Sequence, residues 1–427
     1  MIVNQTYEID SCDDVELELK RESKLEFRLC FDDEKVIEAL FFIIPGLGGD
    51  ADSNYREHLA SFVAENFNVA VVSVNYHCIG NRPQTGAKAY FDEIDRLILE
   101  ESCKTLGIKL PFDVSNIRIQ FPKTSSAFNL KEFSKEFHFI NEVLEAKIKK
   151  KELFENFELK THLTFEPTKN EYQNFGIMQA QDLINALLYI KANPPFSLGG
   201  GDLRVIMLGS SHGGYLAHLT AKIAPYLVDA VIDNSSYAKI LWRLVGFGKE
   251  IDFIKYAECS IGISPHIIAF FSSKTLWTSN QHSKNFFSPT RRQIRNILEP
   301  HHLKIQSKYP KPYYVSYHSL YDTIIAPPQE KAELYKILKD LNFNARLRMI
   351  CSADEIDGKF IKNLSHGMGM SLKTLILKEL PLMLENLKQN PKQQWDNTSI
   401  SYPCEDTIYH FSQKEAKIVL ECEELKS

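Results

Sequence analysis

The sequence predicts an α/β chain in which a mostly parallel sheet carries helices on both faces. Three observations lead there. Short apolar runs alternate along the chain with segments whose apolar residues recur at helical spacing. Several of these runs are apolar at nearly every position, which suits strands buried on both faces. Glycine is scarce, 19 of 427 residues, and six of the 19 sit in two clusters that follow apolar runs: Gly46, Gly48, Gly49 and Gly209, Gly213, Gly214. A chain sparing with glycine places it where backbone must turn tightly or approach closely.

In chain order, residues 1–33 read as short strands, with Leu25, Phe27 and Leu29 alternating with polar neighbours. Val36–Ile44 is apolar except for Glu38 and ends in Pro45-Gly46. Tyr55, Leu59, Phe62, Val63 and Phe67 then recur at helical spacing, and Val69–Val74 is a second strand. Together they form a parallel βαβ unit. Residues 88–104 read as helix. Residues 105–170 break the rhythm and read as an insertion, with a charged helix near 130–152 and a strand near 157–165. The Lys149-Lys150-Lys151 run within it reads as a solvated helix face. Helix 174–193, strand Val205–Leu208, helix Tyr215–Ile223 and strand Val228–Asp233 restore the order. Residues 238–310 interrupt again, with helix-like stretches at Leu241–Phe247 and Ile267–Phe271 and with Arg291, Arg292 and Arg295. Strand Tyr313–Tyr317, helix 328–341, strand Ala345–Cys351 and helix 370–388, with a kink expected at Pro381, complete the pattern. The expected organisation is one domain over 1–388 with insertions at 105–170 and 238–310, then a polar extension, 389–427, with an apolar patch at Ile418–Leu420. Gly199-Gly200-Gly201 follows no apolar strand and reads as a plain loop.

Composition narrows the function classes. Hydrophobic residues make up 44% and aromatics 11%, which excludes a mainly disordered chain. Lys+Arg is 50 and Asp+Glu is 55, so there is no cationic surplus for nucleic acid. The eight cysteines show no CxxC or zinc-like spacing and read as separate thiols in a reducing compartment. No run approaches the ~18 apolar residues of a membrane span, and the N-terminus lacks the basic and apolar regions of a signal peptide. The expectation is a cytoplasmic protein.

Gly209-Ser210-Ser211-His212-Gly213 carries the chemistry. It fits G-x-S-x-G, preceded by an apolar strand and followed by a helix pattern. A serine at such a turn projects its hydroxyl out of the sheet, and flanking Gly209 and Gly213 remove side chains that would collide there. The helix that follows aims backbone N–H groups at a developing oxyanion. An acid and a histidine should follow in that order. Asp322, just beyond the strand Tyr313–Tyr317, is the preferred acid, with Asp233, Asp354 and Asp357 as rivals. His366, in Asn363-Leu364-Ser365-His366-Gly367-Met368-Gly369, lies between the last strand and the last long helix. His212 is a poorer base, since it points away from the turn, but its backbone N–H suits the oxyanion. The loop beginning at Gly46 offers the second donor, assigned to the Leu47 N–H. That loop, Gly46-Leu47-Gly48-Gly49-Asp50, lacks the Lys-Ser/Thr of a phosphate loop and the full G-x-G-x-x-G. No HExxH or other ligand cluster calls for a metal, and the pattern needs no cofactor.

With these residues the chain resembles the α/β-hydrolase superfamily, and within it the catalytic domains of prolyl oligopeptidase and acylaminoacyl peptidase. The likeness rests on Gly209-Ser210-Ser211-His212-Gly213-Gly214, on His318-Ser319-Leu320-Tyr321-Asp322, which is similar to that group's H-G-x-x-D, and on His366-Gly367. It spans roughly 36–105 and 172–388. It implies Ser211 as nucleophile, Asp322 as acid and His366 as base. Ser319 replaces the usual glycine, the proline after the acid is displaced to Pro327, and the chain has no room for an N-terminal propeller. The whole chain also resembles hydrolase-like proteins encoded near flagellar glycosylation genes in some bacteria, which implies a glycan-linked role.

Four functions follow. The first is a serine esterase acting on an O-acyl sugar or small acyl ester, with the insertions shaping its pocket. An acyltransferase would use the same residues with another acceptor. A peptidase would need a group such as Arg243 or Arg291 to grip a peptide terminus. A non-catalytic binding protein would show Asp322 far from His366 or a filled site over Ser211.

Overall fold

The computed structural model describes residues 1–52, 56–80, 86–121, 135–199, 203–392 and 394–425. Tyr55, the start of the charged helix at 130–134, and Gly200 and Gly201 lie outside them. The chain divides into two compact units. The first comprises Met1–His77, Gly176–Ile240 and Ser288–Ser427, and the second Cys78–Phe175 and Leu241–Phe287.

Among the described residues the first unit holds an eight-stranded sheet. Its strands are β1 (Ile2–Ile9), β2 (Leu25–Asp32), β3 (Ala39–Ile44), β4 (Val69–Asn75), β8 (Arg204–Ser210), β9 (Ala230–Asn234), β12 (Tyr313–Ser319) and β13 (Ala345–Ile350). The spatial order is β1-β2-β4-β3-β8-β9-β12-β13. Only β2 runs against the rest. This is a mixed, mostly parallel α/β sheet. Its helices are α1 (Arg56–Asn66), α4 (Ile177–Ala192), α5 (His212–Ile223), α8 (Pro289–Arg295), α9 (Pro300–Gln306), α10 (Pro328–Asp340) and α11 (Leu372–Gln389). On one face Phe41, Ile43, Val71, Ile206 and Leu208 pack against Leu59 and Val63 of α1 and Leu375, Ile376 and Leu380 of α11. On the other, α4 and α5 are buried almost throughout. Burial on both sides explains why β3, β4, β8 and β9 are apolar without alternation. The helix α11 continues through Pro381.

The tail is not a loose polar extension. Residues Ser399–Cys404 (β14), Thr407–Lys414 (β15) and Lys417–Glu424 (β16) form a three-stranded antiparallel sheet. Its buried row includes Ile400, Tyr402, Tyr409, Phe411, Ile418 and Leu420. The Tyr402 hydroxyl donates to Lys222 O at 2.6 Å and the Ile418 N–H to Asn185 Oδ1 at 2.8 Å. Tyr409 donates to Glu16, which pairs with the fully buried Arg295.

The second unit has a sheet and core of its own. It contains β5 (Lys88–Tyr90), α2 (Glu93–Thr105), β6 (Arg118–Gln120), α3 (Lys135–Lys149), β7 (Leu159–Glu166), α6 (Trp242–Val245), α7 (Lys249–Asp252), β10 (Cys259–Ser264) and β11 (Ile267–Ser273). The strand order is β10-β11-β7-β5-β6, with β7 parallel to β11. Phe121, Phe137, Leu144, Phe165 and Phe271 lie in its core. The excursions therefore run over 78–175 and 241–287, while 288–310 joins the first unit as α8 and α9. Two local readings change. Residues 88–90 are strand, with helix starting at 93, and Ile267–Phe271 is strand where helix was expected. A five-residue apolar run has no period to choose between the two, and pairing with β7 decides for strand. No helix among the described residues is long and apolar enough to cross a membrane.

Candidate active site

Three loops at the ends of β8, β12 and β13 bring Ser211, Asp322 and His366 together in the first unit. Ser211 follows β8 and caps α5 with φ 56° and ψ −121°. A left-handed serine between strand and helix is a strained elbow, held by its surroundings. Its N–H donates to Asn234 O at 2.8 Å, and its carbonyl accepts from the Tyr215 N–H at 3.0 Å. Glycine is required on either side. A Cβ on Gly209 would lie 2.2 Å from the Gly213 carbonyl carbon, and one on Gly213 would lie 2.3 Å from Ile44 O. Neither fits without moving backbone.

The Ser211 hydroxyl donates to His366 Nε2 at 2.8 Å. His366 Nδ1–H donates to Asp322 Oδ2 at 2.6 Å. Asp322 is nearly fully buried, and its other oxygen accepts from the Ala326 N–H at 3.3 Å. The His366 side chain retains 27% exposure, enough for the imidazole to meet an incoming group. Such a line can take a proton from the serine as its oxygen attacks and return it to a leaving group, with the carboxylate fixing the tautomer. Beside Asp322, Leu320, Tyr321 and Ile324 are exposed at 42%, 57% and 69%, so the acid's flanks present apolar surface.

The rival acids are otherwise engaged. The Asp233 carboxylate accepts from Lys331 Nζ at 3.0 and 3.1 Å, His218 Nε2 at 2.8 Å and Ser316 Oγ at 3.0 Å. Asp357 accepts the N–H groups of Lys359, Phe360 and Ile361, and Asp354 is exposed in a short 3-10 turn. The His212 ring is buried away from the serine. Gln179 donates its Nε2 to His77 O at 3.0 Å, so its Oε1 accepts from His212 Nε2–H at 2.9 Å. Nδ1 is then left to accept from the Tyr237 hydroxyl. The Gly46–Gly49 turn, closed by Gly49 N–H to Gly46 O at 3.0 Å, carries Leu47 half-buried. A Cβ on Gly46 would stand 3.1 Å from Ser210 O, so that loop runs against the elbow.

A family model described as a protein of unknown function matches residues 5–422. The chain belongs to the DUF2920 family. No curated protein matches it by sequence. Among solved structures it is similar to the acylaminoacyl peptidase of Pyrococcus horikoshii, with 14% identity and a TM-score of 0.43. That alignment covers 93% of this chain and 43% of the peptidase, so the chain spans less than half the peptidase's length. It is also similar to esterase Est22, with 11% identity, a TM-score of 0.40, and coverage of 84% and 74%. A dienelactone hydrolase from Anabaena variabilis aligns at 13% identity and a TM-score of 0.37, over 91% and 99%.

Sequence reasoning overlooked several residues around the DUF2920 site. Ser319, read only as a departure from glycine, donates to Leu364 O at 2.6 Å and so ties β12 to the histidine loop. Asn234 Nδ2 donates to Gly367 O at 3.0 Å, and Ser235 Oγ accepts from the Gly367 N–H at 3.1 Å. The one available signal was the polar run Asn234-Ser235-Ser236, directly after an apolar strand and buried in full.

Proposed function

We propose that this protein is a serine hydrolase that cleaves a carboxylic ester, an O-acyl group on a sugar or small metabolite. The observation that carries the reading is the Ser211–His366–Asp322 hydrogen-bonded line at a strained strand-to-helix elbow. Ser211 Oγ attacks the acyl carbonyl as its proton passes to His366 Nε2. The tetrahedral oxyanion takes hydrogen bonds from the Leu47 and His212 N–H groups, each such donor contributing about 3–4 kcal/mol to lowering the barrier. The alcohol leaves with the proton from His366. Water then attacks the acyl-enzyme with His366 as base, releasing the acid and restoring Ser211. Asp322 keeps Nδ1 protonated and stabilises the imidazolium. Of the two arginines considered for gripping a peptide terminus, Arg291 is engaged elsewhere, donating to Glu16 O at 2.9 Å.

Labelling with a fluorophosphonate probe, wild type beside Ser211→Ala, tests this reading. Label on wild type that vanishes in the variant is expected. A folded wild type that takes no label refutes an activated serine and leaves a non-catalytic hydrolase scaffold. Release of short acyl groups from acylated sugars by the labelled protein then tests the ester class.

A further inference from the structure

We propose that Asn234, Ser235 and Ser319 are positioning residues that hold His366 in line with Ser211. This rests on the reading of Ser211 and His366 given above. The turn after β9 grips both partners at once. Asn234 O accepts from the Ser211 N–H at 2.8 Å, while Asn234 Nδ2 donates to Gly367 O at 3.0 Å. The single Ser235 hydroxyl proton goes to Asn234 Oδ1 at 3.0 Å, so the same oxygen is left to accept the Gly367 N–H at 3.1 Å. The Ser235 N–H donates to Tyr317 O at 2.9 Å, which fastens this turn to β12. From β12 itself Ser319 donates to Leu364 O at 2.6 Å and accepts from the Tyr321 N–H at 3.2 Å, one residue before Asp322. The three side chains are at most 1% exposed. His366 is therefore bracketed by Leu364 and Gly367, both anchored from outside their own loop. That loop turns through left-handed geometry at Gly367 (φ 75°) and Met368 (φ 53°), so its internal bonds form no regular element to fix the ring. The tethers set where the imidazole sits relative to the serine and the acid.

The test is fluorophosphonate inactivation of the full chain, resolved into the maximal rate kinact and the half-saturating concentration KI. It is run from about pH 5 to about pH 9, across the range where an imidazole base titrates. The variants are Asn234→Ala, Ser235→Gly, Ser319→Ala and Ser319→Thr. Glycine removes the Ser235 hydroxyl while accepting its φ of 57°, so that variant is the one that folds most surely. The three tether-removing variants are expected to lose about 10–100-fold in kinact with KI within about twofold, the cost of a base displaced by up to an ångström. Ser319→Thr, which keeps the hydroxyl, recovers most of the rate lost in Ser319→Ala. Wild type labelled at Ser211 with folded variants labelled equally fast overturns the positioning role alone. A folded wild type that takes no label overturns the underlying reading, a different result on the same gel.

Discussion

Replacing Asp233 by Asn will cost more stability than replacing its partner Lys331 by Met. Both groups are buried beneath the elbow, on the end of β9 and on α10. The Lys331 ammonium has the two Asp233 oxygens and the Ser236 hydroxyl as acceptors. Without the carboxylate charge it is a buried cation with one full hydroxyl acceptor and an amide oxygen. The carboxylate is better provided. Without Lys331 it keeps His218 at 2.8 Å, Ser316 at 3.0 Å and the Ser236 N–H at 3.2 Å. Burial pushes the Asp233 carboxyl up, but Lys331 and His218 together hold it below the usual carboxylate range. Burial lowers the His218 imidazole, Asp233 raises it and Lys331 lowers it further. Breaking a buried pair costs about 3–5 kcal/mol. Asp233→Asn belongs at the upper end and Lys331→Met at the lower, a gap of about 2 kcal/mol. In urea unfolding followed by circular dichroism, with m near 3 kcal/mol/M, that gap separates the midpoints by roughly 0.7 M. The sign also has a pH signature. Burial and Lys331 together hold the folded-state pKa of His218 below its ordinary value, so in Lys331→Met it moves up toward that value and stability falls less steeply than in wild type as pH drops below about 6.5. Equal midpoints, or a lysine variant weaker than the aspartate variant, would refute the reasoning.

Asp322→Asn should leave the circular dichroism spectrum unchanged and slow probe acylation by about 10⁴-fold, since the amide cannot hold the required tautomer. Burial, with Lys331 adding to it, pushes the His318 imidazole down to about 4, and only its Nε2 has a partner, Ala326 O at 2.8 Å. Its folded pKa lies below the unfolded value, so stability should hold above about pH 6.5 and fall by up to about 1.4 kcal/mol per pH unit as pH drops toward 4. His318→Gln should flatten that limb in a thermal melt. A chain cut after Gln389 should fail to give a cooperative melt. It forfeits burial of Ile400, Tyr402, Tyr409, Phe411, Ile418 and Leu420, on the order of 10 kcal/mol, comparable with a whole domain's stability.

The central sheet was legible because its strands are buried on both faces and so carry long apolar runs, as β3, β4 and β8 do. Ser211 was legible because an elbow leaves a local glycine signature, and His366 because one histidine lies between the last strand and the last long helix. Asp322 was reachable only through chain order, and its rivals were separated by partners that no local pattern encodes, such as Lys331 for Asp233. The tail escaped because β14 to β16 bury one face only, and their polar outward residues hide the alternation. The unity of the second unit escaped because its central pairing, Leu159 with Ile267, joins residues far apart in the chain. The tethers on His366 act through backbone atoms, which any sequence possesses.

That central pairing also governs biosynthesis. During translation β7 emerges early and has β5 and β6 for company on one side only. Its other partner, β11, is encoded roughly 100 residues later, a wait on the order of 5–20 s at ribosomal speeds of 5–20 residues/s. Throughout that interval the strand that becomes the middle of a five-stranded sheet has an open hydrogen-bonding edge. Between the two, the ribosome delivers α4, β8, α5 and β9, the elbow included. The nascent chain thus acquires Ser211 while Leu241–Phe287 of its second unit is still unmade, and chaperone demand should peak in that window.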